Sequence, residues 1–159
     1  MKATTVTTSL LALSPAERTA RQEKLDQLSR TEHPHCVMCG PSHPNGLRLK
    51  FKVEPDSAVK AMVNCHPTLQ SYANVIHGGI VSTLLDEAMV TCLFSYGLVT
   101  VTASLEVKYY APTVPERFAV LRAWMESDKA YPLFTMRADL VQDGKRVAEA
   151  TAKFVIRET

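Results

Sequence analysis

Val75-Ile-His-Gly-Gly-Ile-Val-Ser-Thr-Leu-Leu-Asp-Glu-Ala-Met89 enters on a pair of glycines and runs on through aliphatic residues to about Tyr96. The run predicts a helix from Gly78 with small or apolar side chains on most sides, and a helix that is apolar nearly all round is buried. Two glycines at its entrance permit close backbone approach. The free N–H groups of the first turn, at the positive end of the helix dipole, suit a carbonyl oxygen or a developing oxyanion. Asp86 interrupts the apolar surface, where an ionised carboxylate is costly unless it is solvated, hydrogen-bonded or used.

On either side the pattern changes to alternation. Leu47, Leu49, Phe51 and Val53 alternate with Arg48, Lys50 and Lys52, a Pro55-Asp56-Ser57 turn follows, and Val59, Ala61 and Val63 continue, which predicts a hairpin with one buried face. After the helix, strands are predicted over Val101–Tyr110, Phe118–Glu126, Phe134–Leu140 and Ala148–Ile156, with Asp143-Gly144 as a turn. In the first of these, Thr102 and Ser104 are expected on one polar face. The order is two strands, one helix, four strands. It lacks βαβα alternation and a Gly-rich phosphate loop, so a doubly wound parallel sheet is disfavoured. The expected fold class is α+β: an antiparallel sheet of about six strands wrapped around one long central helix.

Ahead of this lies Ser14-Pro15-Ala16-Glu17, with a capping serine, a proline at the first helical position and a glutamate three residues past the cap. A helix to about Ser29 follows, with few apolar residues, so residues 1–30 read as a surface helical extension and 31–159 as the main domain. The opening MKATTVTTSLLALSPA has too short an apolar core for a signal peptide and is expected to be a loose cytoplasmic leader.

Composition narrows the function. The 159 residues are 46% hydrophobic and 21% charged, and 18 basic against 16 acidic residues leave +2, which argues against a protein that works by neutralising nucleic-acid phosphates. Adjacent Asp86 and Glu87 break the longest apolar stretch, so no membrane span is expected. Four cysteines are too few for a disulfide scaffold and fit a reducing compartment. Cys36 and Cys39 have zinc-like spacing, but no second CxxC completes four ligands; a packed loop of reduced thiols is the expectation, with no metal.

HGG at 77–79, Asp86 nine residues after His77, the VTASLEVKYYAP strand and a CxxCG-x3-PxGL run from Cys36 to Leu47 together resemble the PaaI-like branch of the hotdog-fold acyl-CoA thioesterases, over roughly Cys36 to Ile156. The resemblance implies hydrolysis of an acyl-CoA thioester to free acid and CoA, without a cofactor. It implies that Asp86 is the general base, or the nucleophile, that Thr102 orients the water, and that Gly78 donates its backbone N–H to the thioester carbonyl. It also implies a homodimer or homotetramer in which Asp86 acts on an ester held by Gly78 of the partner chain. Gly79, Ser71, Asn74, Ser104 and Lys108 are the expected substrate contacts. One departure stands out: some relatives carry an asparagine or glutamine six residues before the histidine, where this chain has Ser71.

Alternatives remain at several positions. Histidine is the side chain suited to acid–base work near neutrality, so His77 is either a base or a hydrogen-bonding brace for the glycine turn. Glu87 rivals Asp86 in sequence, but a 100° rotation on the helix turns it elsewhere. Met89, Phe94, Tyr96, Tyr109 and Tyr110 are core or pocket wall, and Lys108, Arg117 and Arg137 are surface charges open to CoA phosphates. The competing function is a non-catalytic acyl-CoA or aromatic-ligand binding protein on the same fold.

Overall fold

Ser14 starts the first helix as its sequence requires. Its hydroxyl accepts from the Glu17 N–H at 3.3 Å, and the Glu17 carboxylate accepts from the Ser14 N–H at 2.9 Å, so two orphan donors are met reciprocally. The computed structural model describes residues 12–158, and the expected loose leader falls largely outside them. Helix α1 spans Pro15–Glu32, three residues beyond the expected end, and buries only Leu25 fully. Polar groups fasten it instead. Arg21 donates to the Ser95 hydroxyl and the Ser57 carbonyl and lies 3.7 Å over the Tyr96 ring.

Six strands follow in chain order: β1 Lys52–Val53, β2 Val59–Asn64, β3 Thr100–Tyr109, β4 Phe118–Ala130, β5 Leu133–Gln142 and β6 Lys145–Ile156. They form one antiparallel sheet in the order β1-β2-β4-β5-β6-β3. The long helix α2, Gly78–Ser95, packs across its inner face, which is the expected hotdog-type arrangement.

The first strand is shorter than the alternation predicted. Leu49, Phe51 and Val53 are buried as expected, yet only Lys52 and Val53 pair with β2. Upstream backbone has other partners: the Leu47 and Leu49 N–H groups donate to the carbonyls of Val37 and Met38, both at 2.8 Å. Gln22 of α1 bonds the backbone of Phe51 and Val53. Alternation reports which side chains are buried, not which backbone completes the ladder.

Small residues set the distance between helix and sheet. Ala148, Ala150, Ala152 and Phe154 of β6 and Phe134, Met136, Ala138 and Leu140 of β5 face inward and are buried, against Leu85, Ala88, Met89 and Cys92 of α2. Ala150 pairs with Ala138 and Val107, so a larger side chain there has nowhere to go. Ala150→Leu is expected to cost about 1–3 kcal/mol by overpacking, read from urea unfolding. By length and composition α2 passes as a membrane-crossing helix, but 67% of that stretch is buried within the fold, as in a core helix.

Candidate active site

Two polar features mark α2, one at its entrance and one in its middle. At the entrance His77 is the cap: its Nδ1 accepts from the Gly79 N–H at 2.8 Å. The ring accepts at Nδ1 and braces the turn, the second of the two roles open to it. Bracing uses up the Gly79 donor. The Gly78 N–H has no acceptor among the described residues, while the Gly78 carbonyl accepts from the Tyr109 hydroxyl at 2.8 Å and the Ser82 hydroxyl at 3.1 Å. One backbone donor at the positive end of the helix is thus left free among the described residues, on a residue whose carbonyl accepts from both hydroxyls.

Two turns further on, Asp86 is half-buried and accepts a hydrogen bond from the Thr102 hydroxyl at 2.8 Å. Burial pushes its pKa up, and the Thr102 hydrogen bond opposes that rise. Thr102 engages Oδ1, and Oδ2 has no partner among the described residues. A carboxylate oriented through one oxygen, with the other available, is the arrangement a general base needs.

Thr102 reaches Asp86 because β3 contains a bulge. Leu105, Val107 and Tyr109 pair with the buried inner-face residues Ala152, Ala150 and Ala148, whereas Ser104 pairs with Lys153 and Thr102 with buried Phe154. The register slips between Thr102 and Ser104, so Ala103 is the extra residue, and Thr102 joins the inner face. Strict alternation predicted Thr102 and Ser104 on one face; the bulge separates them. Ser104 and Lys108 lie on the outer face, away from α2, and Lys108 sits 3.9 Å from Glu106.

A groove of about 410 Å³ lies beside the helix entrance, walled by Ser71, Gly78, Tyr109 and Tyr110. Asn74 lies in the adjoining turn with φ +62°, its N–H held by Gln70. A larger groove of about 600 Å³ is lined by Arg48, Lys50, Lys52 and Lys60 on the β1–β2 side. Volume does not select between them; the smaller one borders the Gly78 N–H that has no acceptor among the described residues. Met89 and Phe94 are core, Tyr96 lies beneath Arg21, and Tyr109 and Tyr110 are the pocket-wall aromatics. Arg117 is paired with Asp143, and Arg137 with Glu126.

Glu87 turns away from Asp86, as the helix rotation requires. It is 6% exposed, its carboxyl pushed up by burial, and it faces His33, Cys36 and Cys39. That grouping was not legible in the sequence, because Cys36 and Glu87 are 51 residues apart.

Comparison with known proteins bears on the same segment. The thioesterase superfamily profile matches residues 73–127, which include the HGG turn, Asp86 and Thr102. No curated protein matches the sequence. Among solved structures, the Escherichia coli PaaI protein from the phenylacetic acid degradation operon is similar with a TM-score of 0.71 at 14% identity, over 86% of this chain and 96% of that one. A Ralstonia eutropha putative thioesterase, a phenylacetic acid degradation-related protein, has a TM-score of 0.68 at 20% identity, over 84% and 99%. A hypothetical thioesterase from Streptococcus pneumoniae, solved with coenzyme A, has a TM-score of 0.64 at 19% identity, over 70% and 90%. Two further structures of that protein carry single alanine replacements, one of an aspartate and one of a threonine 16 residues later. Asp86 and Thr102 are also 16 apart. In fold the chain is PaaI-like.

Proposed function

We propose that this chain, whose residues 73–127 match the thioesterase superfamily, hydrolyses acyl-CoA thioesters, with Asp86 as general base and the Gly78 N–H of a second chain as oxyanion donor. A water hydrogen-bonded to Asp86 gives up a proton to the carboxylate as its oxygen attacks the thioester carbon. Negative charge moves onto the carbonyl oxygen, where the Gly78 N–H meets it. Collapse breaks the C–S bond, the thiolate of CoA leaves and takes the proton, and the acid is released. An alkyl thiolate is a good leaving group, so a placed base and one oxyanion donor suffice.

The observation that carries the two-chain site is a length. Gly78 and Asp86 are eight residues apart on one helix, which is about 12 Å along its axis at about 1.5 Å per residue. A base acting through one water on a carbonyl whose oxygen meets a donor spans about 9–10 Å when extended. That separation favours two chains over one as the source of the two groups. β3 offers the route to a partner: it is a ten-residue edge strand, with Val101, Leu105 and Tyr109 all exposed. A long apolar edge is a template for pairing, and pairing with its own copy closes it. The matching aspartate–threonine separation in the S. pneumoniae protein supports the assignment of Asp86 and Thr102.

Thiol release from short, long and aryl acyl-CoAs tests the activity. Turnover of one class is expected; tight binding without turnover of any would favour the non-catalytic reading instead. Two further outcomes are specific. Asp86 must be ionised to act, and burial raises its pKa. The acid limb of kcat/KM is therefore expected above the ordinary aspartate value of about 3.9, with activity lost as pH falls through it. Leu105→Asp places a charge in the middle of the proposed pairing strand. It is expected to weaken dimerisation by several kcal/mol, about 100-fold or more, and to take activity with it, read by analytical ultracentrifugation beside the thiol assay.

A further inference from the structure

The loop after α1 gathers four ligand-type atoms at one point. His33 is the C-cap residue of α1, Cys36 and Cys39 lie on the turn beyond it, and Glu87 reaches in from the middle of α2. Their ligand atoms lie within 4.8 Å of one another. Cys36 Sγ is 3.3 Å from Glu87 Oε2, Cys39 Sγ is 3.8 Å from His33 Nδ1, and His33 Nδ1 is 3.5 Å from Glu87 Oε1. Bonds of about 2.0–2.3 Å from a tetrahedral zinc ion to such atoms put the ligands about 3.3–3.8 Å from one another. These three distances already have that size.

Chemistry agrees with geometry. Two thiols, an imidazole and a carboxylate are the donor types of a borderline-soft divalent ion, and Cys-x2-Cys is a common zinc spacing. No lysine or arginine meets Glu87 among the described residues, although its side chain is buried in the core helix. The surroundings are built to hold the ligands. The Cys36 sulfur accepts from the Met38 N–H at 3.4 Å, and the Thr91 hydroxyl donates to Glu87 Oε1 at 3.3 Å. The turn closes through the Gly40 N–H on the Cys36 carbonyl at 2.8 Å. A Cβ on Gly40 would stand 2.4 Å from the Cys36 nitrogen, so only glycine permits the closure.

We propose that His33, Cys36, Cys39 and Glu87 bind one zinc-class divalent ion, a closed four-ligand structural site that fastens the end of α1 and the cysteine loop to α2. Both thiols release their protons to solvent on binding, and His33 binds as the neutral ring. All four positions are filled by protein, so the ion has no place for water or substrate and takes no part in thioester hydrolysis. This replaces the metal-free loop expected from spacing alone; the missing ligand was Glu87, supplied by the fold.

The test uses the full chain, purified with thiols reduced, loaded with zinc and dialysed against metal-free buffer. Elemental analysis is expected to find about one zinc per chain. Cobalt loaded in its place is expected to give thiolate-to-metal charge-transfer absorption and the intense visible bands of a tetrahedral ion. Cys39→Ser and the near-isosteric Glu87→Gln should each lose at least about tenfold in retained zinc, and Thr91→Val should weaken affinity about 10–100-fold through its hold on Glu87. Because Cys39→Ser could fail to fold, the wild-type cobalt spectrum stands as the independent measurement. Substoichiometric zinc with no cobalt–thiolate absorption in the reduced wild-type protein would overturn the site, as would zinc retention unchanged in a folded Cys39→Ser or Glu87→Gln. None of these readings depends on thioesterase activity.

Discussion

Asp86→Asn is expected to lower kcat by about 10²–10⁴ and at the same time to make the fold more stable. The rate loss follows from chemistry: an amide cannot take the proton of the attacking water. Stability moves the other way because burial raises the Asp86 pKa. A group whose pKa is higher in the folded chain stabilises it when protonated, below its unfolded value, and that contribution is lost as pH rises through the folded value. At neutral pH the ionised Asp86 is therefore a cost, and the neutral amide removes it. Asn keeps an oxygen to accept from Thr102, so the hydrogen bond at 2.8 Å survives. Thiol release and thermal unfolding of wild type and variant, side by side at neutral pH, check both signs. A fall in activity together with a fall in Tm would mark the aspartate as a structural group.

Gly78→Pro should cost about 10²–10³ in kcat, the usual effect of removing one oxyanion donor. Proline is the replacement that isolates the N–H. Gly78 is the first residue of α2, where proline suits the helix, and His77 has ψ 129°, the extended backbone that a following proline requires. Gly78→Ala is the control. It keeps the donor, and its Cβ would meet the Tyr109 hydroxyl at 3.6 Å, an ordinary contact. Near wild-type turnover in Gly78→Ala beside the loss in Gly78→Pro assigns the effect to the donor; equal losses in both would assign it to the shape of the turn.

Sequence patterning carried most of the architecture because the core is built from periods. Alternation over β4 to β6 and the apolar run of α2 gave element order and burial directly, whereas the alternating apolar residues Val101, Leu105 and Tyr109 of edge strand β3 are exposed. What escaped it was local and long-range geometry. A bulge at Ala103 adds one residue without changing composition, so nothing in the letters said that Thr102 would cross to the inner face while Ser104 stayed outside. The shortening of β1 was equally hidden, because the partners that replace β2 along Leu47 to Phe51 come from α1 and the cysteine loop. At the site, HGG and Asp86 were readable as a pair of features on one helix. That His77 takes the Gly79 donor and leaves Gly78 free is a matter of a single ring orientation. Glu87 looked like a rival base from its position in the chain. Its burial among His33, Cys36 and Cys39 depends on the loop folding back over α2, a contact across 51 residues that no spacing rule reaches.

The sharing of one site between two chains is tested most directly by mixing two inactive proteins. Asp86→Asn and Gly78→Pro subunits, unfolded together and refolded, pair at random, so about half the dimers are hybrids. In a hybrid the intact Asp86 of one subunit faces the intact Gly78 of the other, and one of its two sites is complete. Thiol release from the mixture is expected to return to about a quarter of the wild-type rate, while each variant refolded alone stays inactive. A mixture no more active than its components would contradict the two-chain site.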